Sequence, residues 1–99
     1  MKYLVKIIIF SFSVTSSVSF SAVKTPEFIF NKSCGVCHNG QMLIAPKKGD
    51  VKAWKQRLDK GMDTLIDHVT NGYNMMPPTG LCADCNAKDY EAVIRWMSK

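Results

Sequence analysis

Apolar residues recur at three- and four-residue intervals in several segments of the chain, as they do on the buried face of a helix. The clearest case is the C-terminal segment from about Ala87, where Tyr90, Val93, Ile94 and Met97 share one helical face. No segment shows convincing alternation of apolar and polar residues, the pattern of a half-buried strand. We therefore expect an all-α domain.

The first helix is predicted to begin at Thr25, a suitable N-cap. Pro26 suits the first helical position, and Glu27 places an acid at the positive end of the helix. This helix should end in residues 34–38. Residues 39–49 are predicted to form a loop, because glycine and proline interrupt them and they lack a periodic apolar face.

Two further helices are expected in the middle of the chain. One should begin after Asp50 and end at Lys60, and the next should run from Asp63, its expected N-cap, to Asn71 before Gly72. A loop rich in proline and glycine then leads to the last helix. The buried faces of the two middle helices are expected to contain Val51, Trp54, Leu58, Leu65, Ile66 and Val69.

Residues 1–21 have the three parts of a secretory signal peptide. Lys2 and Lys6 form a positive start, an apolar stretch follows, and small residues precede the expected cleavage after Ser21. A retained membrane anchor is the alternative, but a span needs about 20 continuous apolar residues, and serines interrupt this stretch. We expect a mature domain of residues 22–99 that is periplasmic or otherwise exported and has no membrane span.

A domain of this size usually needs a disulfide, a metal or a cofactor, since its hydrophobic core is small. The four cysteines of an exported chain agree with that need. The formal net charge of +5 becomes +3 without Lys2 and Lys6. Nucleic-acid binding is not expected, because Arg57 and Arg95 are the only arginines and no arginine-rich tract exists.

Cys34, Cys37 and His38 form the pattern Cys-x-x-Cys-His. Two thiols at this spacing can bond to the vinyl groups of haem while the next histidine binds the iron as proximal ligand. A redox dithiol and a zinc site are the alternatives. The histidine directly after the second cysteine favours haem c.

The sixth ligand of the iron is expected in the loop before the last helix. Met76 is the favoured candidate, because the two prolines that follow it stiffen the backbone on which its sulfur is presented. Met75 and the helical His68 are the rivals. Sulfur opposite histidine would raise the reduction potential of the iron.

Cys82 and Cys85 form a second pair, which no histidine follows. In an oxidising compartment we expect a disulfide that closes a very short loop. A catalytic dithiol is less favoured, because no βαβ pattern surrounds the pair. A zinc site shared with the first pair is also less favoured, because the pairs lie much farther apart than in typical zinc sites.

The indole N–H of Trp54 and the guanidinium of Arg57 are suitable hydrogen-bond donors to haem propionates. Alternatively, Trp54 packs in the core and Arg57 lies on a solvated helix face. Their neighbourhood is basic, and such a stretch can either steer an acidic redox partner or simply form a solvated helix face. The basic residues are Lys47, Lys48, Lys52, Lys55, Arg57 and Lys60.

Together these motifs resemble the class I cytochromes c of bacteria, most closely the small cytochrome c-five subfamily. The resemblance covers most of residues 27–97 and rests on the haem motif, the segment 45–50, Met-Pro-Pro and the later cysteine pair, in this order. It implies a bundle of about four helices around one covalent haem, with the first and last helices crossing near Phe30 and Trp96. It also implies that the Pro46 carbonyl accepts a hydrogen bond from the ring of His38.

The resulting hypothesis is a monohaem electron carrier, not an enzyme, which exchanges single electrons with donor and acceptor proteins of a respiratory chain. With both axial positions of the iron filled, no position would remain for a substrate. The alternative is a haem-based gas or peroxide sensor or enzyme with a labile sixth ligand. Carbon monoxide binding distinguishes the two.

Overall fold

The computed structural model describes residues 3, 6–17 and 24–99. Within these residues it contains helices and no strand, with one isolated antiparallel bridge between Tyr73 and Met76. The expected all-α fold is confirmed. The elements are α1 (Pro26–Ile29), a π-helical turn (Phe30–Cys34), α2 (Gly35–His38), α3 (Val51–Leu58), α4 (Met62–Asn71), a 3₁₀ turn (Pro78–Leu81) and α5 (Ala87–Met97).

Residues 6–17 form neither helix nor strand, and their apolar side chains are exposed. The expected cleavage after Ser21 lies outside the described residues. Within the described part of the chain, no helix is both long enough and apolar enough to cross a membrane.

The first helix begins as predicted. The Thr25 hydroxyl accepts a hydrogen bond from the backbone N–H of Phe28 at 3.1 Å, and Pro26 occupies the first helical position. The π-helical turn was not predicted. It joins α1 to α2 without a break, so that one continuous helical segment leads into His38.

α3 begins after its N-cap residue Asp50, whose carboxylate accepts a hydrogen bond from the N–H of Ala53 at 3.1 Å. The helix ends at Leu58, two residues earlier than expected. Trp54 is buried, but the prediction that Val51 is buried was wrong, since this side chain is 58% exposed. Val51 is the first residue of the helix, where no earlier turn covers it.

α4 begins at Met62 behind Gly61, so the prediction that Asp63 caps this helix was wrong. Asp63 lies in the first turn, where its negative charge still interacts favourably with the positive helix end. The helix ends at Asn71, before Gly72, as predicted.

α5 starts with a reciprocal capping box between Asn86 and Asp89. Its predicted apolar face is buried and packs on α1 and α4. The rings of Phe30 and Trp96 meet at 5.2 Å between centroids, where the first and last helical segments come together. The core contains Ile29, Trp54, Leu65, Cys82, Tyr90, Val93, Ile94 and Met97.

Candidate functional site

A cavity of about 420 Å³ opens between the His38 end of α2 and the loop that follows α4. Its walls are largely apolar, and its volume is typical of a small-molecule or cofactor site. The cavity brings together residues that the sequence analysis singled out far apart in the chain. These are Cys34, Cys37, His38, Trp54, Arg57, His68, Met75 and Met76.

His38 is 8% exposed, and its Nδ1 lies 2.7 Å from the carbonyl oxygen of Pro46. A carbonyl only accepts, so Nδ1 carries the proton of this hydrogen bond. In the neutral ring Nε2 then keeps its lone pair and can bind a metal. Cys34 and Cys37 line the same cavity and form no disulfide.

The electrostatic environment favours the neutral imidazole. Burial lowers the pKa of His38, the hydrogen bond to Pro46 opposes that shift, and the positive charge of Arg57 adds to it. Burial also raises the pKa of the Cys34 thiol, which keeps its sulfur protonated. These groups therefore present a neutral lining to the cavity.

Trp54 and Arg57, the two predicted propionate donors, both line the cavity. The indole N–H of Trp54 donates to the carbonyl of Lys47 at 2.9 Å. The indole has one N–H only, so this bond uses its whole donor capacity. The ring lies beside that of His38, with 5.6 Å between centroids. Arg57 donates through Nη1 to the carbonyl of Ala53 at 2.8 Å, and its other N–H groups keep their donor capacity at the cavity wall.

On the opposite side, Met75 and Met76 occupy different positions in a tight turn. Two backbone hydrogen bonds of 3.0 and 2.9 Å join Tyr73 to Met76, and Asn74 adopts a left-handed conformation between them with φ 54°. Met75 is at the tip and is 69% exposed. Met76 is in the bridge and is partly buried.

Two glycines give Met76 its space. A Cβ atom on Gly80 would lie 3.0 Å from the terminal methyl carbon of Met76, and one on Gly72 would lie 3.1 Å from its carbonyl oxygen. Both glycines also have positive φ values, 57° and 86°, which disfavour other residues. A side chain at either position would strain the backbone and crowd Met76, so glycine favours the close approach of the turn to α4.

A disulfide joins Cys82 and Cys85 beyond this turn. The buried hydroxyl of Tyr90 donates to the Cys82 carbonyl at 3.3 Å, and the buried hydroxyl of Ser33 donates to the Leu81 carbonyl at 3.1 Å. The loop that contains Met76 is thus tied to α5 and to the π-helical turn. The predictions had included neither Ser33 nor Tyr90 as tethers, because hydroxyl-to-carbonyl bonds across such separations leave no local sequence signal.

Lys48 and Tyr73 were also missed as contributors to the site. The Lys48 ammonium lies 4.0 Å from the ring centroid of Trp96, and its backbone N–H donates to the His38 carbonyl at 3.0 Å. Tyr73 stacks on His68. Neither residue has a specific signal in the sequence, because a lysine in a basic stretch is usually solvated and a single aromatic residue in a loop can have many roles.

Comparison with known proteins identifies the family. The family model described as cytochrome c oxidase, cbb3-type, subunit III matches residues 21–97. Cytochrome c5 of Azotobacter vinelandii is 46% identical over 77 residues, which cover 76% of this chain and 93% of that protein. The chain belongs to the class I cytochromes c, close to cytochrome c5. Cytochrome c5 of Ectopseudomonas mendocina is 40% identical over 77 residues, covering 76% of this cytochrome and 88% of that protein.

Solved structures agree with this assignment. A mono-haem ferrocytochrome c from Shewanella putrefaciens is 44% identical to this cytochrome with a TM-score of 0.69, over 80% of this chain and 98% of that one. A chain in an electron transfer complex of nitrite reductase with cytochrome c is 34% identical with a TM-score of 0.66, over 74% and 89% of the two chains. The fold is that of a class I cytochrome c.

This cytochrome is therefore a monohaem electron-transfer protein with one covalently bound haem c. The cavity fits haem c, because its walls are largely apolar. The thiols of Cys34 and Cys37 form no disulfide and lie next to His38, whose Nε2 is available. The sulfurs of Met75 and Met76 lie on the opposite side. Such a donor set is typical of c-type haem.

Proposed function

We propose that this cytochrome is an exported single-electron carrier in which Cys34 and Cys37 bond to the haem, while His38 and Met76 bind the iron. The observation that carries the proposal is that His38, with its Nδ1 held by Pro46, lines the same cavity as Met76. Haem iron held by these two residues would supply a one-electron couple of raised potential.

The His38 side supports a fixed ligand. The hydrogen bond to Pro46 sets the tautomer of the imidazole and restrains rotation of its ring, as hydrogen-bond partners behind metal ligands generally do. The position beside Trp54 excludes water from one face of the ring. This arrangement holds the ring in one orientation and leaves Nε2 available to bind the iron.

On the other side, burial favours Met76 over its rivals. Met75 exposes 69% of its surface at the turn tip, whereas Met76 packs its methyl group against Gly80. His68 also lines the cavity, but its imidazole is engaged in a stack with Tyr73. We therefore assign the sixth position to the sulfur of Met76.

With His38 and Met76 both bound to the iron, no position would remain there for a substrate, so we infer that this cytochrome transfers electrons and does not turn over a substrate. Its partners would be donor and acceptor proteins of a respiratory chain. The similarity to a chain from a nitrite reductase–cytochrome c complex supports a reductase as one kind of acceptor. The free N–H groups of Arg57 are proposed to bind a propionate.

Absorption spectroscopy of the purified protein tests the ligands. The oxidised protein should show the weak long-wavelength sulfur-to-iron band; Met76→Leu should abolish it, and the matched control Met75→Leu should retain it. Fast, stoichiometric binding of carbon monoxide to the reduced wild-type protein would contradict the proposal and favour a gas or peroxide sensor or enzyme. A pyridine haemochrome assay of the Cys34→Ala and Cys37→Ala variants tests the two thioether bonds.

Export is part of the same proposal. Residues 1–21 would direct secretion, and cleavage after Ser21 would leave residues 22–99 as the mature domain. The intact mass of protein isolated from the periplasmic fraction tests this, because it should equal that of residues 22–99 with one haem and the Cys82–Cys85 disulfide. A mass that includes residues 1–21 would contradict cleavage.

A further inference from the structure

The imidazole of His68 stacks on the ring of Tyr73 inside the wall of the cavity. The ring centroids are 3.8 Å apart, and the planes differ by 9°. The Lys60 ammonium lies 5.5 Å from the centroid of the same tyrosine ring. His68 belongs to α4, and Tyr73 begins the turn that follows it, so the stack fixes this turn to the helix.

Tyr73 is in turn joined to Met76. Its N–H donates to the Met76 carbonyl at 3.0 Å, and its carbonyl accepts from the Met76 N–H at 2.9 Å. Any displacement of the Tyr73 backbone away from α4 must therefore move the backbone of Met76 or break both bonds. The tyrosine ring is the part of this turn that reaches back to the helix.

We propose that His68 is a positioning residue for the sixth iron ligand: by stacking on Tyr73, it holds the turn that presents the sulfur of Met76. This inference rests on the proposed ligation by Met76. It gives His68 a role in the site although it is not itself a ligand.

The turn needs such a contact because its own packing is sparse. Met75 is 69% exposed and Tyr73 is 45% exposed, so the turn buries little surface besides Met76. Asn74 holds a left-handed backbone conformation, which is less favourable than the right-handed one. Two stacked aromatic rings have a preferred relative geometry. The stack of His68 on Tyr73 therefore restricts the direction in which the turn can open more than a contact between aliphatic side chains would.

The experiment measures how fast added imidazole displaces the methionine ligand in the ferric holoprotein, from loss of the sulfur-to-iron band. His68→Ala should accelerate displacement by roughly two- to tenfold, the range that one aromatic pair supports. His68→Phe, which keeps a flat ring, should restore the wild-type rate. Thr70→Ala is the matched control: Thr70 is exposed on the same helix, and its hydroxyl donates to the Ile66 carbonyl at 2.8 Å.

Tyrosine variants provide an independent route if His68→Ala does not fold. Tyr73→Leu should accelerate displacement as His68→Ala does, and Tyr73→Phe should not. In the double variant His68→Ala/Tyr73→Leu the two effects should not add, because both remove the same stack. A change in global stability alone would leave the displacement rate of the folded protein unchanged.

The inference is overturned if His68→Ala exchanges its ligand at the rate of Thr70→Ala, if phenylalanine fails to rescue it, or if the two single effects add. Failure of the proposed function is recognised from the spectrum of the wild-type protein, before any variant is compared. A wild-type protein without the sulfur-to-iron band lacks the methionine ligand, and both proposals then fall.

Discussion

The segment that holds His38 and the turn that holds Met76 line the same cavity, yet they differ in burial and in backbone conformation. On the His38 side, three residues of the loop 46–49 make anchoring hydrogen bonds: Pro46 to the His38 ring at 2.7 Å, Lys47 to the Trp54 indole at 2.9 Å, and Gly49 to the carbonyl of Met97 at 2.7 Å. His38 and Trp54 are both buried.

The Met76 side has fewer buried groups and more unusual backbone. Asn74, Thr79 and Leu81 all have positive φ values without being glycine. Met75 and Leu81 are more than half exposed. It is tied to the rest of the domain by the hydroxyls of Ser33 and Tyr90, which donate to the carbonyls of Leu81 and Cys82, and by the stack of His68 on Tyr73.

This difference implies an order of opening. Regions with exposed backbone and little buried apolar surface open locally at lower free energy than well-packed ones. We therefore expect the methionine ligand to leave before the histidine ligand on heating or in denaturant. Four sets of variants sharpen or break that comparison.

Removal of the disulfide should have the largest effect. Cys82→Ser/Cys85→Ser should lower the free energy of unfolding by about 2 kcal/mol, the chain-entropy cost of a very short loop. The sulfur-to-iron band should disappear at a lower temperature than helical circular dichroism. Wild-type protein with its disulfide reduced is the control and should match the variant. Coincident loss of both signals would contradict separate opening of the Met76 side.

Gly80→Ala tests the space around Met76, and Gly61→Ala is its matched control. Both glycines have positive φ, so each variant should lose stability, and Gly80→Ala, in the left-handed helical region, should lose about 1–2 kcal/mol. A Cβ on Gly61 meets nothing within 4 Å, whereas one on Gly80 would meet Met76. Only Gly80→Ala should weaken the sulfur-to-iron band. Equal spectra for the two variants would show that this contact does not position the sulfur.

Trp54→Phe tests the opposite side. It keeps a ring beside His38 but removes the indole bond to the Lys47 carbonyl, which still accepts from the Asp50 N–H at 3.0 Å. Loss of this one hydrogen bond should cost about 1 kcal/mol in chemical denaturation. The sulfur-to-iron band of the folded variant should remain at full strength. If the variant loses this band further below its unfolding transition than the wild-type protein does, the two sides are not independent.

Lys48→Met should have the smallest effect. It removes a cation from above the Trp96 ring, which should lower the free energy of unfolding by about 0.5–1 kcal/mol. Lys52→Met, on an exposed position of α3, removes the same charge without a ring contact and should change stability less. If both variants are equally destabilised, net charge explains the effect and the ring contact does not.

Much of this molecule follows from local sequence. The cap at Thr25 and the apolar face of α5 use rules that act within a few residues, and both were predicted. The burial of Val51 and the capping role of Asp63 were predicted wrongly, because periodicity locates a helix more reliably than its first residue.

The candidate site divides in the same way. Spacing and residue type identified Cys34, Cys37 and His38, and the two prolines drew attention to Met76. The acceptor of the Trp54 indole could not be predicted, because a backbone carbonyl is available at almost every residue and only the folded path decides which one is near. The stack on Tyr73 likewise depends on how the chain leaves α4.

The sequence separation of two hydrogen bonds has a consequence for how the site assembles. The bond from His38 to Pro46 spans 8 residues, whereas that from Ser33 to Leu81 spans 48. The entropy cost of closing a loop grows with its length, and short loops close in about 10–100 ns. The imidazole of His38 can therefore be oriented while the C-terminal half of the chain is still unfolded. The Met76 side is completed only when the whole chain has folded.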